Sequence, residues 1–333
     1  MRSRDEYIDF LKFVGLTMIM LAHVHPPVWL YELRSFDVPL MLFASGLAFS
    51  GKQIDSQIHF LYTRTLRLVT PVYLFLIGYF IALWFLPDRH VQADEVVGSF
   101  LLLNAHSIGY VWVIKVFLLV MLCTPVMLRL DRKLNDRQWS AAILVLLVAV
   151  ELSGLLLAQL KPGGLAVYYA YYETVQFVLA YSIPFLFGLR FHVVERRRKQ
   201  TALFLLALLM AVVLLVLYAQ TGDALHLSTR YKFPPRAAFI LWGTLAAFIL
   251  WSARRMLGIL SRLRLIAFCG RHTLWIYLWH IPLVSLTRPL GDHWLPRLVL
   301  VWCVSLALYA VQLSLVKWVE RRHPHPLLRY LRD

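Results

Sequence analysis

The chain has 333 residues, of which 60% are hydrophobic, 14% aromatic and only 16% charged. Its mean hydropathy of +0.66 excludes an ordinary water-soluble protein of this size. The net charge of +16 would suggest nucleic acid in a soluble protein. Here the basic residues cluster between apolar runs, so they are better explained as orientation signals of a membrane protein. We therefore predict an all-α polytopic membrane protein with a single domain over residues 1–333 and no extra soluble domain.

Ten apolar windows predict about ten transmembrane helices. They fall approximately at residues 8–25, 36–50, 68–86, 110–130, 139–158, 172–191, 202–219, 236–253, 268–287 and 295–319. An eleventh, interfacial segment fits residues 96–103. Most of the 34 Lys and Arg residues fall on one set of connections, which places both termini in the cytoplasm. The basic run Glu195–Lys199 is also compatible with lipid or ligand binding.

The first window carries three ionisable residues, Asp9, Lys12 and His23. Each such residue costs about 2.5 to 3.5 kcal/mol at the centre of a spanning helix, so each is a functional candidate. At about 100° per residue the three share one face, with His23 roughly 16 Å further toward the outside than Lys12. They form either a polar stripe across the membrane or a local Asp9–Lys12 pair and a separate histidine. His23 and His25 alone are too few ligands to predict a metal site.

Two further charges stand alone in apolar windows. Glu151 lies in the fifth window and Lys115 in the fourth, both near the expected depth of His23. They could form a pair or line a shared polar cavity, although the Lys115 ammonium could instead reach the membrane surface.

Arg64 and Arg67 precede the third window, on the predicted cytoplasmic side. At this spacing the two guanidinium groups project from one face if the helix begins early, and together they suit phosphate oxygens. The alternative is that they are ordinary cytoplasmic orientation residues.

Four motifs, taken in order, resemble those of acyltransferase family 3, a family of integral membrane proteins that O-acylate cell-surface carbohydrates. They are Lys12 followed after ten residues by His23, the segment Val38–Gly46 with its Pro39 and Ser45-Gly46, Arg64-x-x-Arg67, and Tyr277-x-x-His280-x-Pro282. The segment Tyr110–Lys115 resembles the family only loosely.

The resemblance implies an acyltransferase of the inner (cytoplasmic) membrane that uses acyl-CoA, by default acetyl-CoA, from the cytoplasm. The implied acceptor is a hydroxyl of a cell-surface or exported polysaccharide, such as an O-antigen or exopolysaccharide, or of a lipid-linked glycan. Membrane lipid is an expected partner, whereas nucleic acid and a metal ion are not expected.

The resemblance also implies roles for single residues. His23 is the base or the acyl carrier, and Asp9 or Glu151 orients its imidazole. The remaining candidates are Arg64 and Arg67 for the CoA phosphates, Lys12 for the donor or the cavity wall, Ser45 for a developing oxyanion, and Tyr277 and His280 as secondary residues. Lys115 is a secondary candidate only because of its place in an apolar window, since the loose match at Tyr110–Lys115 implies no role for it.

A different class of protein fits the same charges. In a proton-coupled transporter or flippase of a sugar-containing substrate, Asp9, Lys12, His23 and Glu151 would form a proton relay or substrate path. The cytoplasmic arginine pair separates the two hypotheses, because an enzyme that uses acyl-CoA needs a phosphate site and a transporter of neutral sugar does not.

Overall fold

The computed structural model describes residues 5–85, 91–160, 165–191, 196–222, 226–291 and 293–332, with only the backbone at residues 160, 165–166 and 196–197. Throughout these ranges the regular structure is helical, which confirms the predicted class. Four basic residues lie outside the described ranges, namely Arg2, Arg4, Arg89 and Lys161, and so does Glu195 of the run Glu195–Lys199.

The helices are α1 (Glu6–His23), α2 (Val28–Leu33), α3 (Asp37–Phe49), α4 (Gln57–Trp84), α5 (Ala93–Phe100), α6 (Trp112–Lys133), α7 (Asp136–Leu160), α8 (Leu165–Tyr171), α9 (Phe177–Phe191), α10 (Arg196–Thr221), α11 (Leu227–Tyr231), α12 (Ala237–Ser252), α13 (Arg254–Ser261), α14 (Arg264–Arg271), α15 (Thr273–Leu286), α16 (Trp294–Arg322) and α17 (Leu328–Arg332). A π-helical turn, Tyr172–Gln176, joins α8 to α9.

Six of the described helical segments are long and apolar enough to cross a membrane: Gln57–Trp84, Trp112–Lys133, Asp136–Gln159, Val167–Phe191, Arg198–Thr221 and Trp294–Arg322. The pair α12 and α13, bent by 78°, makes a seventh if it is one span. The predicted number of ten is not confirmed. With 13 and 14 residues, α3 and α15 are only about 20 Å long, less than the roughly 30 Å hydrocarbon layer.

Each of the ten apolar windows nevertheless coincides with helix, and the interfacial segment corresponds to α5. The largest difference is at α4, which begins at Gln57, well before its apolar window. Ser56 caps the helix there, since its hydroxyl accepts a hydrogen bond from the His59 N–H at 3.3 Å. Arg64 and Arg67 therefore lie on α4, as the early start requires.

The chain divides into two compact units. The first comprises Met1–Ile19, Pro27–Ile54 and Leu122–Gly270. Its centre is the packing of α3 against α9, where a side chain added at Gly46 would meet the Phe185 carbonyl and one at Gly188 would meet the Phe43 carbonyl. These glycines let the two backbones touch, which is how apolar helices gain packing energy in a membrane.

The second unit comprises Met20–Pro26, Asp55–Met121 and Arg271–Asp333. In it α15 packs on α16 and α4, and the short helix α17 packs on the same two partners. Three side chains of α15 and α16 donate hydrogen bonds to carbonyls of α17: Trp275 to Tyr330 at 2.8 Å, Tyr309 to Arg332 at 2.7 Å and Gln312 to Leu331 at 2.6 Å. This unit also holds the end of α1, with His23.

Candidate active site

His23 and His280, which lie 257 positions apart in sequence, meet in the second unit. His23 is the last residue of α1, where the chain turns toward Pro26 and Pro27. Its Nδ1 lies 3.0 Å from Nε2 of His280, and the two rings stack with centroids 5.2 Å apart. His280 is completely buried and His23 is half-buried. Two of the predicted site residues thus form one direct pair.

The neighbours of this pair determine where the protons lie. Nδ1 of His280 faces the carbonyl oxygen of Tyr277. A carbonyl can only accept, so that nitrogen carries a hydrogen, and Nε2 of a neutral His280 must be an acceptor. His23 therefore donates its Nδ1 hydrogen to Nε2 of His280. The lone pair of the neutral His23 ring is then on its own Nε2. This is the tautomer that a general base needs.

Two tyrosines enclose the histidine pair. The ring of Tyr110 meets His23 edge-on with centroids 4.7 Å apart and lies 5.8 Å from His280. The ring of Tyr277 lies 4.7 Å from that of His280, and its hydroxyl donates to the Tyr110 carbonyl. Burial raises the pKa of the Tyr110 hydroxyl, while the positive charges of Arg288 and Arg297 oppose that rise. These ring contacts hold the two imidazoles in place.

Arg297 is a residue that the sequence interpretation missed. It is 2% exposed, and its Nη1 donates to the carbonyls of Val24, the neighbour of His23, at 3.3 Å and of Gly291 at 3.4 Å. Within the described structure its Nε and Nη2 have no hydrogen-bond partner. These two N–H groups lie along one edge of the guanidinium group and suit two oxygens of an anion. Its position inside the tenth apolar window was the signal that could have identified it.

Asp9 and Lys12 pair with each other in the first unit, with Oδ1 and Nζ 3.8 Å apart. Asp9 is buried, while the Lys12 side chain is 25% exposed. This contact agrees with the local-pair interpretation of the first helix.

Glu151 also has a cation in the first unit, which the sequence did not indicate. Its carboxylate forms an ion pair with Arg236 and accepts the Ala237 N–H at 3.3 Å. Because Ala237 begins α12, the negative charge also lies at the positive end of a helix. Arg236 was not identified from the sequence because it lies 85 positions away from Glu151.

The other candidates are dispersed. Ser45 donates to the Met41 carbonyl of its own helix at 2.9 Å, and Lys115 is half-buried on α6. On α4, the Arg64 guanidinium lies over the Phe60 ring, 5.8 Å from its centroid. Arg67 lines a cavity of about 220 Å³.

In a comparison with models of protein families, residues 5–316 match that of an acyltransferase domain. The matched range includes all four sequence motifs and ends before α17. Neither the curated proteins nor the solved structures contain a match to this chain.

Proposed function

This chain belongs to acyltransferase family 3, and from that premise we propose that it is an O-acetyltransferase of the cytoplasmic membrane. The donor is acetyl-CoA in the cytoplasm. The acceptor is a hydroxyl of a cell-surface or exported polysaccharide, or of its lipid-linked precursor. The observation that carries the proposal is the pairing of His23 with His280, which leaves a basic nitrogen on His23. Family membership gives no support to the transporter hypothesis.

In the direct route, Nε2 of His23 removes the proton from the acceptor hydroxyl while the hydroxyl oxygen attacks the thioester carbonyl. The carbon–sulfur bond of the tetrahedral intermediate then breaks. The CoA thiolate leaves and takes up the proton, which restores neutral His23. In the two-step route the same nitrogen attacks the thioester first, the carbon–sulfur bond breaks, and the CoA thiolate leaves. The acceptor hydroxyl then attacks the acyl-imidazolium and gives its proton to the thiolate, and the acyl–nitrogen bond breaks to restore neutral His23. Both routes need the tautomer that the Tyr277 carbonyl and His280 select.

Arg297 supports this chemistry by its charge and its unsatisfied N–H groups. Negative charge develops on the thioester oxygen in either route, and a buried guanidinium with two donors stabilises such an oxyanion. Arg297 contacts the residue next to His23, so it is a better candidate for this role than Ser45, whose hydroxyl is bonded within α3.

The phosphates of CoA remain in the cytoplasm, because their charges are too costly to place in hydrocarbon. Arg64 and Arg67 on α4 are the residues proposed to hold them. Lys12 and its partner Asp9 are proposed to line the path of the donor, and Glu151 with Arg236 to stabilise the first unit.

The decisive experiment is transfer of labelled acetyl from acetyl-CoA to polysaccharide by membranes that contain the protein. We expect the variant His23→Ala to lose transfer at equal expression. His25→Asn is the matched control, because His25 is exposed and has a positive φ of 56° that asparagine tolerates. Transfer that persists in His23→Ala would refute the mechanism.

A further inference from the structure

The cavity that Arg67 lines lies between two helices of the second unit. Its walls are built from the N-terminal half of α4 and from α17, and its volume is about 220 Å³. The lining residues are Tyr62, Thr63, Leu66, Arg67, Arg329 and Tyr330. The lining therefore includes two tyrosines and two arginines.

The wall contributed by α17 is held in place. Tyr330 is 6% exposed, and its carbonyl accepts a hydrogen bond from the Trp275 indole at 2.8 Å. Its hydroxyl accepts a bond from Nη2 of Arg329 at 2.6 Å, and the Arg329 guanidinium lies 4.6 Å from the centre of the Tyr330 ring. This ring contact and hydrogen bond position the charge of Arg329 on the side of the cavity opposite α4.

We propose that Arg329, which Tyr330 holds in place, completes the donor site together with the exposed ring of Tyr62 by binding the 3′-phosphorylated adenosine of CoA. This inference rests on the proposed function. Tyrosine rings stack on nucleobases, and arginine binds phosphate through two N–H groups. CoA carries phosphate at two places on its adenosine, a diphosphate on the 5′ side and a single phosphate at the 3′ position. Arg67 and its neighbour Arg64 suit the diphosphate, and Arg329 suits the 3′-phosphate. Residues 329 and 330 lie beyond the range that the family model matches.

Calorimetric titration of the full-length protein in detergent tests the proposal, with CoA and dephospho-CoA, which lacks the 3′-phosphate, as probes. We expect wild-type protein to bind CoA about tenfold more tightly than dephospho-CoA. Arg329→Ala should remove this difference by weakening CoA alone. Tyr62→Ala should weaken both ligands, because it removes an exposed stacking face (62% exposed) without affecting the core.

Arg322→Ala is the matched control. It removes the same charge from an exposed position on α16, where Arg322 rests on the Trp318 ring outside the cavity. If Arg329→Ala binds CoA as Arg322→Ala does, the inference is wrong while the donor assignment stands. Absence of CoA binding by wild-type protein would instead contradict the proposed function itself. Phosphatidylglycerol in detergent micelles is the lipid probe. If this lipid binds only when Arg329 is present and does not displace CoA, Arg329 holds lipid phosphate and the inference is also wrong.

Discussion

At the scale of single residues, the His23–His280 contact makes His280 a positioning residue. We expect His280→Ala to lower acetyl transfer about a hundredfold, because it removes the acceptor that fixes the tautomer of His23. His280→Gln should recover part of the loss, since its amide oxygen can take the place of Nε2. The measurement is the transfer rate at saturating acetyl-CoA for both variants. Equal rates for the two variants would contradict this role and leave only a packing function.

The second prediction for a single residue concerns Arg297. Arg297→Lys keeps the charge but removes the pair of N–H groups, so we expect kcat to fall about 10² fold with KM for acetyl-CoA unchanged. Arg288→Lys is the control, because Arg288 is exposed. Steady-state kinetics separates the alternatives. A raised KM with an unchanged kcat would place Arg297 in donor binding and not in stabilisation of the oxyanion.

The sequence singled out individual candidate residues but not the partners that they contact. His23 and His280 followed from motifs, but no local pattern reports a contact between residues 257 positions apart. Glu151 was correctly singled out as a costly charge, while its partner Arg236 remained hidden until the helices packed. Arg297 was not singled out, because charge counts do not distinguish a buried guanidinium from an exposed one.

At the scale of elements, the contact between α3 and α9 depends on two glycines. We expect Gly188→Ala to destabilise the protein by about 1 to 3 kcal/mol, since the added methyl group would meet the Phe43 carbonyl and force the helices apart. Thermal unfolding in detergent should show a lower Tm. Gly78→Ala on α4 is the matched control, because nothing lies within 4 Å of an added side chain there. An unchanged Tm in Gly188→Ala would mean that α9 shifts without cost.

Hydropathy located the helices but not their ends or their lengths. The windows show where apolar residues accumulate, and helices occupy every one of them. They do not show the Ser56 cap that starts α4 early, and they do not separate a full span from a short buried helix. Both α3 and α15 are shorter than a span because turns set their ends, at residues 34–36 and 50–51 for α3 and at Thr287, before Pro289, for α15.

At the scale of the whole molecule, the proposed reaction requires a defined orientation. The donor phosphates are proposed to bind at α4 and the acceptor near the end of α1, so these two sites must face opposite sides of the membrane. The distribution of basic residues predicts cytoplasmic termini. We therefore expect a fluorescent protein fused after Asp333 to fluoresce and an alkaline phosphatase at the same place to be inactive. Phosphatase inserted after Gly222, an exposed position that follows α10, should be active, because this connection is predicted to face outward.

Replacing Arg321 and Arg322 together with glutamine tests whether these charges determine the orientation of the chain, since it removes charge from the predicted cytoplasmic side without touching the donor cavity. Phosphatase activity after Asp333 in the unaltered chain would reverse the orientation and move the acyl-CoA site away from its substrate.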